Sequence, residues 1–241
     1  MTDLHSQTRL GVILPSVNTV VEPWFSQVLP AGITLHASRM FLDNALSSEA
    51  LERMDREEGM LGMKQILSCR PSSVAYCCTA SSIVQGLEYD GHLNACLNQA
   101  AGVPAFTATA AIIEALQLMG IRRLSVCSPY SQTIDEAEHH FFKAAGFDIL
   151  GGAYLGIQDA FDLAKPTASE IVALARKSWT PKSEACLITC LNLNSHEVIQ
   201  TLEQEFSCPV LTSTQVTLWK LLRSAGRQEC IEGFGALLSQ Y

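Results

Sequence analysis

The chain has 241 residues, 48% of them hydrophobic and 17% charged, and a formal net charge of -8 at neutral pH. That composition suits an enzyme-sized fold with a substantial core and is wrong for disorder, while the acidic balance argues against a general nucleic-acid surface. The longest apolar stretch, Val103 to Met119, is broken by Thr107, Thr109 and Glu114 and is too short for a membrane span. Nine cysteines follow a start, Met1-Thr2-Asp3-Leu4-His5-Ser6, that lacks the basic and apolar regions of a secretory signal. The expectation is a cytoplasmic protein with reduced thiols, not a disulfide framework.

In chain order, Leu10-Gly11-Val12-Ile13-Leu14 reads as a strand stopped by Pro15. The loop Pro15-Ser16-Val17-Asn18-Thr19 leads to a helix over 20–28 with Glu22 in its first turn. A second strand is expected from Ile33 to Ala37 and a long charged helix from Ser48 to Ser68. A third strand ends at Cys78 and runs into a helix reaching roughly Ala100. Then come a short strand at Val103–Phe106 and a helix from Thr107 to Met119 capped by Gly120.

The pattern then restarts. Leu124-Ser125-Val126-Cys127-Ser128 leads into Pro129-Tyr130-Ser131-Gln132-Thr133 as the first strand leads into Pro15-Ser16-Val17-Asn18-Thr19, an offset of 129 − 15 = 114. Gly146 matches Gly32 at the same offset, Cys190 matches Cys78 at 190 − 78 = 112, and Pro209 matches Pro104 at 209 − 104 = 105. One order and a slowly drifting offset indicate an internal duplication. Alternating strands and helices imply two pseudo-symmetric α/β lobes, each a parallel sheet flanked by helices. The boundaries are set at 1–117 and 118–215, with 216–241 free to pack back on the first lobe and 230–241 as a terminal helix. Ligands on such sheets bind at the carboxyl ends of strands, which places the site in the cleft between lobes.

Ser73 to Ser82 and Glu184 to Ser195 carry the chemistry. Each is a short apolar run, then Cys78 or Cys190, then small polar residues, then a segment of helical period. Helix-start amides beside each sulfur would bind a carboxylate and stabilise a thiolate, making the thiols available as base, acid or nucleophile. A lone cysteine is more often an inert core residue; the matched position in both halves is what favours function. Cys77 should face away from Cys78, and the remaining cysteines read as core or loop. Thr79, Ala80 and Ser81, through hydroxyls and backbone N–H groups, and Leu191 and Asn192, mainly through backbone, are substrate-binding candidates and equally good as plain helix caps. Ser16 and Asn18 in the first loop, and Tyr130 as its second-half counterpart, could hold the same anion. Asn18 is also a natural turn residue, and Tyr130 a natural half-buried aromatic. No metal-ligand spacing occurs, His196 reads as an exposed helix residue, and Gly233-Phe234-Gly235 is an incomplete nucleotide fingerprint. No cofactor is expected.

At these residues the sequence resembles the aspartate/glutamate racemase superfamily, within it the maleate cis–trans isomerase and arylmalonate decarboxylase branch. The resemblance rests on Pro15-Ser16-Val17-Asn18-Thr19 with Glu22, Tyr76-Cys77-Cys78-Thr79-Ala80-Ser81, Ser128-Pro129-Tyr130 and Cys190-Leu191-Asn192-Leu193. It implies a cofactor-independent isomerase acting on a small carboxylate through a cysteine pair. The alternatives are an arylmalonate-type decarboxylase, an amino-acid or ectoine-pathway racemase, or a non-catalytic carboxylate binder. The implied partner is a small carboxylate, with no nucleic acid or membrane and with a homodimer compatible. Decarboxylases of this kind keep glycine at the first cysteine position, so two cysteines favour isomerase or racemase chemistry. Two departures stand out. Leu191 replaces the usual Thr, and the loop Gly156–Leu163 offers Gln158, Asp159 and Asp162 where the isomerases carry a substrate-binding Asn. An acidic side chain there would repel a second carboxylate.

Overall fold

The computed structural model describes residues 7–43 and 46–241; the first six residues, on which the reading of the start rests, lie outside it. It contains two four-stranded parallel sheets flanked by helices. In the first lobe, strands β1 (Thr8–Pro15), β2 (Ile33–Met40), β3 (Ser73–Tyr76) and β4 (Ala105–Thr107) are ordered β2-β1-β3-β4. Its helices are α1 (Val21–Val28), α2 (Ser48–Met54), α3 (Met60–Leu67), α4 (Thr79–Gln85), α5 (Leu87–Ala101) and α6 (Ala108–Leu118). The second lobe repeats the order as β6-β5-β7-β8, with β5 (Arg123–Ser128), β6 (Asp148–Tyr154), β7 (Ala185–Ile188) and β8 (Val210–Thr212). Its helices are α7 (Gln132–Ala144), α8 (Ala168–Ser178), α9 (Ile199–Phe206), α10 (Ser213–Ser224) and α11 (Gly235–Gln240).

The central strands are apolar because helices cover both faces: β3 and β7 are buried at all four positions. The matched Val103–Thr107 and Cys208–Thr212 segments become equivalent strand-to-helix turns. Thr107 caps α6 by accepting from the Ala110 N–H, and Thr212 caps α10 in a reciprocal capping box with Gln215. Those two helices pack on each other across the lobes. Ser73 on β3 donates to the Leu221 carbonyl of α10 at 2.8 Å, and Lys220 pairs with Glu114 at 2.5 Å. Of the C-terminal residues 230–241, only Gly235–Gln240 is helical, and α11 packs on α9, α10 and β8.

Three sequence expectations are corrected. The helix expected over Ser48–Ser68 is divided by a widened π-helical turn at Asp55–Gly59. The helix expected from Cys78 to about Ala100 breaks at Gly86, whose φ of 91° lies in the region that favours glycine. Cys78 is the cap residue of α4, but Cys190 does not open a helix: a non-helical turn and the 3-10 turn Ser195–Val198 separate it from α9.

Candidate active site

The carboxyl ends of β1, β3, β5 and β7 point their loops at one another, and a small cavity lies where they meet. Cys78, Thr79 and Ala80 from the first lobe and Tyr130, Cys190, Leu191 and Asn192 from the second line it together, with Asn18 at its edge. The cysteine turns that match in sequence therefore share one space. Cys77 is buried and also borders the cavity, its thiol directed at the Ala75 carbonyl at 3.5 Å.

Cys78 is 6% exposed and Cys190 2%. Burial pushes the Cys78 thiol up to about 12, with the nearby Asp55 carboxylate adding to the effect. Burial likewise pushes Cys190 up to about 12, partly offset by hydrogen bonding from the Tyr130 hydroxyl. Burial thus opposes the stabilisation of a thiolate expected from the helix-start amides. With no cationic side chain among the described residues lining the cavity, desolvation of the anion outweighs one short helix. No lysine, arginine or histidine is among the lining residues.

Cys190 has a φ of 91°, a left-handed conformation costly for a residue with a Cβ. The Ser213 hydroxyl at the start of α10 accepts its N–H at 3.1 Å and holds the turn. Across the cavity, the Thr79 and Tyr130 hydroxyls share a 2.9 Å hydrogen bond that joins the lobes. Two O–H groups at that point are suited to receive a carboxylate oxygen.

Asn18 and Asn192 also cross between lobes. Asn18 accepts from the Val20 and Val21 N–H groups, capping α1, while its Nδ2 donates to the Leu191 carbonyl at 3.1 Å. Asn192 accepts from the Thr19 N–H at 2.9 Å and donates to the Ala160 carbonyl at 3.1 Å. Ser16 lies outside the cavity lining and accepts from the Leu42 N–H at 3.1 Å, fixing the chain after β2. Arg39 braces that loop by donating to the carbonyls of Ser16 and Asn18 while pairing with Glu22. Ser81 is also outside the lining, behind Cys78, and donates to the Cys78 carbonyl at 3.3 Å.

The apolar part of the lining was not identified from sequence. Leu42, Leu46, Leu51, Ala160 and Leu163 add an apolar surface to the cavity that the cysteines line. As isolated leucines and alanines they carry the same signal as any core residue. The acidic loop residues turn away from the cavity: Asp159 accepts from the Phe161 N–H of its own turn at 2.9 Å, and Asp162 pairs with Lys165 at 2.6 Å. Both line an outer groove and neither is among the cavity-lining residues. His196, expected to be exposed, stacks on Trp24 at 4.6 Å. Among the described residues no group of three His, Cys, Asp or Glu side chains could hold a metal ion, and no helix is long and apolar enough to cross a membrane.

The sequence profile of the arylmalonate decarboxylase family matches residues 10–238, nearly the whole chain. The chain belongs to the arylmalonate decarboxylase family. Within reach of that family are the maleate isomerase of Nocardia farcinica, 27% identical with 96% of each chain covered, and that of Pseudomonas putida, 25% identical with 99% of each covered. Among solved structures, a mutant of the Nocardia farcinica maleate cis–trans isomerase with a covalently bound succinylcysteine intermediate superposes with a TM-score of 0.91. That structure is 22% identical and covers 97% of this chain and 99% of its own. The two-lobed fold of this arylmalonate decarboxylase family member is thus that of the maleate isomerases.

Proposed function

We propose that the protein is a cofactor-independent cis–trans isomerase of a small unsaturated carboxylate, with maleate the first substrate to test. The observation that supports the reading is the pair of cysteines, Cys78 and Cys190, which follow the matched strands β3 and β7 and line one cavity. Support comes from full-length similarity to maleate isomerases and from the covalent succinylcysteine reported for one of them.

The chemistry follows from the arrangement. The Thr79 and Tyr130 hydroxyls and the Cys78–Ala80 and Leu191–Asn192 backbone hold a carboxylate, Asn18 and Asn192 keep the two lobes in register around it, and Ser16 and Ser81 support the turns. Cys78, once deprotonated, adds through sulfur to one alkene carbon. The π electrons move onto the neighbouring carboxylate as an enediolate, which the hydroxyls and amides stabilise. Cys190 gives its proton to the adjacent carbon, leaving a single bond free to rotate. Removal of that proton by the Cys190 thiolate and departure of the Cys78 sulfur restore the alkene in its trans form, with atoms and electrons conserved. The reading carries a cytoplasmic location and association of identical chains as a homodimer.

Proton NMR of the protein with maleate in deuterated water tests it: the vinyl signal should shift to that of fumarate. Cys78→Ser and Cys190→Ser should each lower turnover by at least about a hundredfold, the scale of a lost nucleophile or acid–base group. Full activity in both variants rules out the mechanism.

One observation favours a second reading. The wall of Leu42, Leu46, Leu51, Ala160 and Leu163 offers no polar side chain to a second carboxylate. A carboxylate forced against it is desolvated and primed to leave as carbon dioxide, with Cys190 protonating the enediolate left behind. Carbon dioxide release from a panel of substituted malonates, surviving Cys78→Gly, selects decarboxylation.

A further inference from the structure

We propose that α10 is a strut that fixes the two thiols relative to each other, with Ser213 and Ser73 as its positioning residues and the backbone of Cys190 held strained to aim its sulfur. Neither serine lines the cavity. The consequence for turnover rests on the reading of Cys78 and Cys190 as the reacting pair; the brace on Cys190 stands on backbone geometry without it.

Among the described residues, three that are not glycine have positive φ: Arg70 at 52°, Ser207 at 53° and Cys190 at 91°. Arg70 and Ser207 are exposed, whereas Cys190 is buried and its backbone groups cannot fall back on water. A left-handed residue with a Cβ persists where its surroundings over-determine it, and such residues gather at functional sites. Here the chain is fixed on both sides of Cys190. Its N–H donates to Ser213 Oγ at 3.1 Å, and the Leu191 carbonyl accepts from Asn18 Nδ2 at 3.1 Å. The repeat shows what the hydroxyl is for. At the offset of 105 the position matching Ser213 is 213 − 105 = 108, which is Ala108 at the start of α6, and Cys78 in that lobe is extended, with φ −137° and ψ 98°. The hydroxyl and the left-handed turn occur together in one lobe and are both missing from the other.

Ser213 is the first residue of α10 and is fully buried. The helix start around it is tied down by the Thr212–Gln215 capping box and by the Thr217 hydroxyl, which donates to the Ser213 carbonyl at 2.7 Å. Eight residues on, about 12 Å along the helix, the Leu221 carbonyl accepts the Ser73 hydroxyl at 2.8 Å. Ser73 opens β3, the strand that ends two residues before Cys78. One rigid helix therefore grips the chain at Cys190 with its first turn and the base of the strand that delivers Cys78 with its last. Its place between the lobes does not depend on either serine, because α10 also packs on α6 and β3 and pairs Lys220 with Glu114. The Leu221 carbonyl accepts the Ala225 N–H at 3.0 Å as well, so losing the Ser73 hydroxyl leaves it satisfied. Ser213 and Ser73 touch no reacting atom and act through the two cysteine turns.

Two readouts in the full-length protein test this. The first needs no substrate: thermal midpoints of Cys190→Gly and Cys190→Ala, measured with Ser213 in place and again with Ser213→Ala. Both variants lack the thiol and differ by one Cβ, the atom that a left-handed backbone strains. With Ser213 in place the glycine variant should melt higher than the alanine variant, the reverse of the usual order. With Ser213→Ala the turn is free to relax and the advantage of glycine should shrink. An alanine variant that melts as high as the glycine one, or a glycine advantage that Ser213→Ala leaves unchanged, overturns the brace. The second readout is maleate turnover in Ser213→Ala and Ser73→Ala. Because misplacing a reacting group by about 1 Å can cost about a hundredfold, kcat should fall by about tenfold or more in each. KM should stay near its wild-type value, since the Thr79 and Tyr130 hydroxyls are untouched. Wild-type kcat in either variant, or a loss carried by KM, overturns the strut. Should Ser213→Ala fail to fold, the melting order of the two Cys190 variants and the kcat–KM split in Ser73→Ala decide instead. Should the wild-type protein leave maleate unchanged, that counts against the isomerase reading, and the melting comparison still decides the brace.

Discussion

Glu138 lies fully buried on α7, and neither of its carboxyl oxygens has a hydrogen-bond partner among the described residues. Burial holds its carboxyl well above the usual range, and Asp135 on the same helix adds repulsion. The nearby Thr189 hydroxyl, next to Cys190, partly opposes this. The sign follows from linkage. Because folding raises this group's pKa, its stabilising effect is complete below the ordinary carboxyl range and is lost as pH rises through the folded value. Glu138→Gln keeps the shape and removes the titration. Urea midpoints at pH 5 and pH 8 should show the variant gaining on wild type at the higher pH. The gain is about 1.4 kcal/mol for each unit by which folding lifts the carboxyl and pH traverses that lift. Asp55, also raised, is common to both proteins and cancels in the comparison, while the gain includes the repulsion between Glu138 and Asp135 that the variant removes. A pH-independent gap between the two proteins would show that Glu138 is not held neutral by burial.

At the scale of elements, close approach decides more than propensity. Gly62 faces β1 from α3, and a Cβ there would sit 2.8 Å from Ile13 Cγ2. Gly62→Ala ought to improve helix propensity by up to about 1 kcal/mol, yet overpacking costs about 1–3 kcal/mol, so a net loss of stability is expected, read as a lower thermal midpoint. An unchanged or higher midpoint would mean that α3 shifts freely on the sheet. The same competition explains which elements could be read from the residues. β1, α1, β5 and the α6 cap at Gly120 follow from apolar runs and from glycine or proline stops, signals local to the chain. The π-helical turn at Asp55 does not follow from periodicity, because its hydrogen-bond partners Tyr76, Gln85 and Tyr89 come from residues 21 to 34 positions away. Cys190 has the strand and cysteine of its counterpart, but its turn depends on Ser213, 23 residues on, and so its backbone could not be matched to that of Cys78.

Across the whole molecule, the repeat offset pointed to Cys78, Thr79, Tyr130 and Cys190 meeting at one cavity, since duplicated lobes turn matching strand ends toward a shared cleft even where the turns that follow differ. Its apolar wall was not legible because a leucine facing a cavity and one facing a core look alike in sequence. Nor was the inter-lobe stack of Trp24 on α1 against His196, which lies six residues after Cys190. That stack makes the junction sensitive to acid. Burial lowers the His196 imidazole to about 4, and its Nδ1 is buried without a partner among the described residues. A histidine whose folded pKa is depressed stabilises the fold above its ordinary pKa near 6.5, and that contribution is lost as pH falls toward 4. His196→Phe retains an aromatic ring beside Trp24 and cannot take a proton. Denaturant midpoints between pH 7 and pH 4 should therefore fall less in the variant than in wild type, the two converging or crossing at the acid end. The raised Asp55 and Glu138 carboxyls favour the folded state as pH falls in both proteins, so the difference between them isolates the imidazole. Parallel acid limbs would mean that protonated His196 swings into water and that the two lobes are held together by the Asn18 and Asn192 hydrogen bonds and the α6–α10 packing instead.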